Sequence, residues 1–436
     1  MEQLPEQPDS SRKADDTDEM FALESVGLDP IEEESGEYRP PIDVPSITEC
    51  YVQGIDCIRR REWDGAIDHI QRGLDLDPLR QHTQSVIALA NMGFCHDKLE
   101  EYEQALESYT QAIELDPQSE QAFAGLACVY MDLGRPAEAL EAGERAAVIR
   151  PDNPLTHYNI GNARMAMKDS IGAIESYRQA ITFKPSMFHA WLNMGAACET
   201  VGDLEGAVAS FEGAIQARPG YAKAYMNLGL LYSRQGRHEE SIAAFQRTLE
   251  KDPEQKKVWI LLGLAWRCRQ DDFKAMEAFK AAVAAGCYPE KAWHNIGLIH
   301  ADAHRHEEAM QAFRTALQCN PDYAKVQVSI GLEYARVGRD DEAVEAIESG
   351  LRLRPGLPKA LIALGTIHAH SGRLDEAVQC FQSATEQAPA DDTIHVRLLR
   401  THLAAGRRDE ALAEFKYLED RDSPLAEQLL GEIYPS

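Results

Sequence analysis

The stretch "HADAHRHEE", His300 to Glu308, sets His300 and His304 four residues apart, with Asp302 and His306 close by. On a helix that spacing can hold zinc. A second pattern is a row of lysines, Lys223, Lys257, Lys291, Lys325 and Lys359, spaced 34 residues apart in a chain of formal net charge -28. Such a row would offer fixed positive charge to carboxylates. A third is asparagine at Asn91, Asn159, Asn193, Asn227 and Asn295. A carboxamide both donates and accepts, so a ladder of them can hold the backbone of an extended peptide whatever its sequence.

Signatures of catalysis are missing. The sequence contains no Gly-rich phosphate loop, no G-x-S-x-G and no H-E-x-x-H. Paired carboxylates such as Glu239 and Glu240 fall at the expected exposed starts of helices, where they read as a solvated face. The nine cysteines are odd in number and show no C-x-x-C spacing. They argue against a disulfide framework or zinc module, fit a reducing compartment, and are expected to act mostly as small buried apolar residues. The N-terminus shows no apolar signal region, and no apolar run approaches a membrane span. A cytoplasmic protein is expected. The acidic balance disfavours nucleic acid, because the summed field repels polyanions.

The elements that carry these residues repeat. "LTHYNIGNARMA", "FHAWLNMGAACE" and "YAKAYMNLGLLY" follow one another at 34-residue intervals. A frame of eleven units begins at 47, 86, 120, 154, 188, 222, 256, 290, 324, 358 and 392. Within each unit, apolar residues at positions 4, 7 and 11 form one helical stripe, as in Trp191, Met194 and Cys198. A second stripe follows at 20, 24 and 27, as in Ala207, Phe211 and Ala214. Glycine at position 8 and alanine at position 20 let the two helices approach closely. Turn residues such as Gly202 separate them, and proline at position 32 ends the second helix. Each unit is therefore a helical hairpin that buries its apolar stripes on its neighbours. In this frame His300 takes position 11, as do His96, His368 and His402, while His304 and His306 fall in the turn. No metal site and no cofactor is expected.

The order aromatic, Leu, Gly, Tyr, Ala, Phe, Ala, Pro at positions 4, 7, 8, 11, 20, 24, 27 and 32 resembles the tetratricopeptide repeat. The resemblance runs from Ile47 to about Pro424. It implies an all-α, right-handed superhelical solenoid whose concave groove is lined by the first helix of each hairpin. It also implies that positions 2 and 6, hence the lysines and asparagines, border that groove. The asparagine ladder resembles the groove of the O-linked N-acetylglucosamine transferase superhelix. The clamp with which some family members hold acidic chaperone tails needs lysine at position 5, and no unit has it.

Residues 1–46 differ in kind, with fourteen acidic and three basic residues and scattered prolines, and are expected to be a disordered tail. Within it, Glu19 to Glu34 reads as a solvated linker more readily than as a docking motif. A flexible tail of that length spans about 37 Å. The lysine row begins on the order of 90 Å along the stack of helices. The row is thus expected to serve an external acidic segment. Residues 47–423 form the repeats and 424–436 a capping helix. Gln81 to Ser85, extra to the frame, are expected to lengthen the next helix. The junction at Cys287 is expected to bend.

The expected function is a non-catalytic scaffold or adaptor that binds peptide segments or protein surfaces. Asn159, Asn193, Asn227 and Asn295 would hold partner backbone. Lys223, Lys257, Lys291, Lys325 and Lys359 would meet acidic groups. The alternative is a regulatory or substrate-recruiting subunit of a separately encoded enzyme such as a glycosyltransferase.

Overall fold

The computed structural model describes residues 44–80 and 84–433. The Glu19–Glu34 stretch lies outside them, as does the acidic tail up to residue 43. Helix formation starts at Val44, ahead of the expected 47. Proline suits that first turn, whose N–H groups have no partner within the helix.

Among the described residues there are 23 helices and no strand. The chain is an all-α solenoid of antiparallel hairpins, and it divides into two compact units, Met1–Ala224 and Tyr225–Ser436. In the first unit, Phe188–Val201 turns back as Leu204–Ala217; in the second, Pro289–Asp302 turns back as His306–Cys319.

Small residues let the paired helices touch. Ala66, Ala105, Ala173 and Ala207 are fully buried in the first unit, and Ala275, Ala309, Ala343, Ala377 and Ala411 in the second. Ser241 replaces alanine once, and its hydroxyl donates to the carbonyl of Gly229 at 2.8 Å, which satisfies the buried oxygen. The glycine of most first helices faces an aromatic of its second, as with Gly161 and Tyr177 or Gly263 and Phe279, while Gly54 and Gly331 face Ile70 and Ile347.

The turn between paired helices needs a left-handed residue. Gly202, Gly236 and Gly338 supply it at φ 82, 72 and 75°. Arg61, Glu100, Lys168, Gln270 and His304 take the same conformation without being glycine. The frame thus imposes this backbone even where the side chain disfavours it.

Three expectations need correction. The helix after the extra residues, Ser85–Lys98, has 14 residues, like its neighbours, so it is not lengthened. Ser85 donates to Asp77 at 3.0 Å and pairs with the Tyr51 hydroxyl at 3.2 Å, which fixes the helix start there. Among the cysteines only Cys95 and Cys198 are buried, and Cys268 and Cys319 are exposed because they end their helices. The tail, as noted, gives way to helix at Val44. At the Cys287 junction Gly286 and Tyr288 are both left-handed, at φ 66 and 47°, before Pro289 starts the next helix. In helix Pro424–Ile433, Ala426, Leu429 and Ile433 pack on Leu399, Phe415 and Leu418.

Candidate interaction face

Several successive first helices touch one another within each unit, for example Pro289–Asp302, Ala324–Arg336 and Pro358–His370. Hydrogen bonds between them show which side chains share a face.

In the first unit, Gln121 at position 2 donates to Asn91 at position 6 of the preceding helix, at 3.1 Å. Asn159 is buried and donates to the Cys128 sulfur at 3.2 Å. Asn193 donates to Asn162 at 3.0 Å and to the Tyr158 hydroxyl at 3.3 Å. The Tyr177 hydroxyl closes this cluster with a 2.8 Å bond to Asn162. These carboxamides therefore tie neighbouring hairpins together. Lys223 sits half-buried at the start of its helix.

In the second unit, Asn295 donates to the Lys291 carbonyl at 2.8 Å and accepts from Arg267 at 3.3 Å. Asn227 is half-buried, and its carboxamide has no hydrogen-bond partner among the described residues. His294 donates to the Ser329 hydroxyl at 2.9 Å, since that hydroxyl itself donates to the Lys325 carbonyl at 3.0 Å. Burial lowers the His294 pKa to about 4, so this bridge is neutral at physiological pH.

Positions 2, 6 and 9 of the first helices thus make one face, with the lysines along its N-terminal edge. Lys257 and Lys359 are exposed, and Lys291 and Lys325 are half-buried. Neither Lys257 nor Lys359 has an ion-pair partner among the described residues. Lys291 lies over the Tyr288 ring, 4.1 Å from its centroid. Burial lowers the Lys325 pKa, and the like charges of Arg354 and Lys359 lower it further. At the neighbouring junction burial raises the Cys287 thiol while Lys257, Lys291 and Lys256 oppose the rise. The lysines are therefore close enough to share neighbours. Arg354 joins the row from the end of the preceding second helix, and no spacing rule in the sequence marks it.

Charges further along the same face are paired. Arg267 bridges to Asp302 at 3.0 Å, and buried Glu333 accepts from His306 at 2.8 Å and from Arg336 at 2.5 Å. His306 is thereby engaged across hairpins. Among the described residues no three His, Cys, Asp or Glu side chains cluster as metal ligands. Nor is any helix there long and apolar enough to cross a membrane.

Hairpins stacked through small residues, with polar side chains bridging their first helices, define an α-helical repeat solenoid. The chain is a tetratricopeptide-repeat protein: tetratricopeptide family models match residues 86–119 and 158–222. The model of the C-terminal domain of cilia and flagella-associated protein 70 matches residues 209–423. No curated protein matches. Similar solved structures include MamA from Desulfovibrio magneticus RS-1, 25% identical over 38% of this chain and 94% of that one, with a TM-score of 0.36. Yeast Tom70 is 15% identical over 88% of this chain and 94% of its own, TM-score 0.46. YrrB, described as a TPR protein with an unusual peptide-binding site, is 21% identical over 43% of this chain and 95% of its own, TM-score 0.37.

Proposed function

We propose that this protein is a non-catalytic interaction scaffold that presents the inner face of its first helices to acidic peptide segments of partner proteins. Tetratricopeptide repeats support the scaffold role. The observation that carries the acidic preference is the row Lys257, Lys291, Lys325 and Lys359 at one register of successive first helices, inside a chain of net charge -28. Like charges held in line gain little stability by themselves, and a carboxylate-bearing ligand relieves their repulsion. Lys223 occupies the same register, and Asn227 keeps a carboxamide available for partner backbone. Asn159, Asn193 and Asn295 serve instead as struts between hairpins.

The test is fluorescence anisotropy of a labelled acidic dodecapeptide with the full chain. Changing Lys257, Lys291 and Lys325 together to glutamate is expected to weaken binding at least tenfold, about 1.4 kcal/mol. The parent affinity should fall steeply with added salt. Unchanged binding in the triple variant would sink the reading. Removing residues 1–46 is expected to leave affinity nearly unchanged; tenfold tightening would instead make the tail an inhibitor in cis.

A further inference from the structure

Three of the four lysines of the second unit's row are followed, seven residues on, by a leucine: Lys257 by Leu264, Lys291 by Leu298 and Lys325 by Leu332, while Lys359 is followed by Thr366. Seven residues are two helical turns, so each pair shares one helix face, about 10 Å apart along the axis. Leu264 and Leu298 are half-buried, and Leu332 is 38% exposed. The face therefore carries two parallel rows running across the helices, a basic one of four lysines and an apolar one of three leucines.

The spacing along the rows is set by the packing of first helices. Pro289–Asp302, Ala324–Arg336 and Pro358–His370 touch in succession. Arg267 links Val258–Cys268 to the first of them through Asn295 and Asp302. First helices that touch have axes about 8–10 Å apart, so the row advances one helix width per hairpin and not the two helix widths expected along the stack. A β-strand returns a side chain to one face every ~6.7 Å and loses register by the second helix. A polyproline II chain returns one every three residues, or about 9.3 Å, which matches. Four lysines then span roughly 24–30 Å, against about 28 Å for residues i to i+9 of such a peptide.

Resting on the function proposed above, we infer that the partner segment is an extended polyproline II stretch. It carries an acidic residue at every third position and, on the adjacent face, an apolar residue in the three triplets that meet leucines. The acidic side chains meet Lys257, Lys291, Lys325 and Lys359; the apolar ones meet Leu264, Leu298 and Leu332. The third residue of each triplet faces solvent.

Two synthetic dodecapeptides of identical composition test this with the full-length protein. One repeats Glu-Pro-Leu four times; the other gathers its four glutamates at one end. The triplet peptide is expected to bind at least tenfold tighter. Leu332→Gln, at an exposed position, should weaken the triplet peptide several-fold and leave the gathered one unchanged. Equal affinity for both peptides, with both lost on reversing the lysines, would overturn the triplet register and leave the acidic-peptide reading intact. Indifference of both peptides to lysine reversal would overturn both.

Discussion

A β-carbon on Gly195 would stand 2.5 Å from Cε1 of Phe211, closer than real side-chain contacts allow. The glycine and the aromatic thus occupy one contact between the helices of a hairpin. Phe211 is fully buried and has no room to retreat. Gly195→Leu is expected to cost on the order of 1–3 kcal/mol or more. A urea midpoint equal to the parent's would show that the contact does not hold the hairpin.

His304 sits in the left-handed turn at φ 55°, which explains its place without a metal. His306 is taken by Glu333, and burial lowers the His300 pKa, with its Nδ1 unpartnered among the described residues. His304→Gly should therefore raise stability by about 0.5–1 kcal/mol, because glycine adopts that backbone without strain. Protein purified without added metal should hold no stoichiometric zinc by mass spectrometry. Stoichiometric zinc that disappears in His304→Ala would refute this.

Asp97 introduces a pH dependence. Burial, and then the neighbouring Asp132 charge, raise its pKa to about 6, and its Oδ1 has no hydrogen bond among the described residues. The folded value lies above the ordinary 3.8, so the folded state holds this proton more tightly than the unfolded one. Below about pH 4 the group costs nothing. Stability is lost as pH rises from about 4 to 6, and above that the cost is constant, on the order of 2–3 kcal/mol. Asp97→Asn should be the more stable protein at pH 7, and its advantage should shrink toward pH 4. An advantage independent of pH would point to packing instead of charge.

The hairpins were legible because their determinants lie within one unit. Gly195 and Phe211 are sixteen residues apart in the sequence, and their small-against-large pairing recurs at the period of the repeat. The bonds that join units were not legible. Asn193 to Asn162 and His306 to Glu333 depend on which side chains two separate helices bring within 3 Å. The left-handed Arg61, Lys168 and Gln270 were hidden for a similar reason, since stacking overrides their own backbone preference. The lysine row was visible as a period, but Arg354 joins it from another helix.

Asn295 separates a structural carboxamide from a ligand-holding one, because it stands one turn from Lys291 on the proposed face. Its amide group donates to the Lys291 carbonyl, and its oxygen accepts from Arg267. Asn295→Ala removes both bonds while the Arg267–Asp302 bridge remains. The loss should cost about 1 kcal/mol of stability, the usual net value of such bonds. Affinity for an acidic peptide should change less than twofold. Lys291→Glu should behave oppositely, with affinity falling and the urea midpoint barely moving, since the lysine makes no ion pair to lose among the described residues. If Asn295→Ala instead lowered affinity tenfold at an unchanged midpoint, the carboxamide would belong to the partner's backbone and not to the stacking of the hairpins.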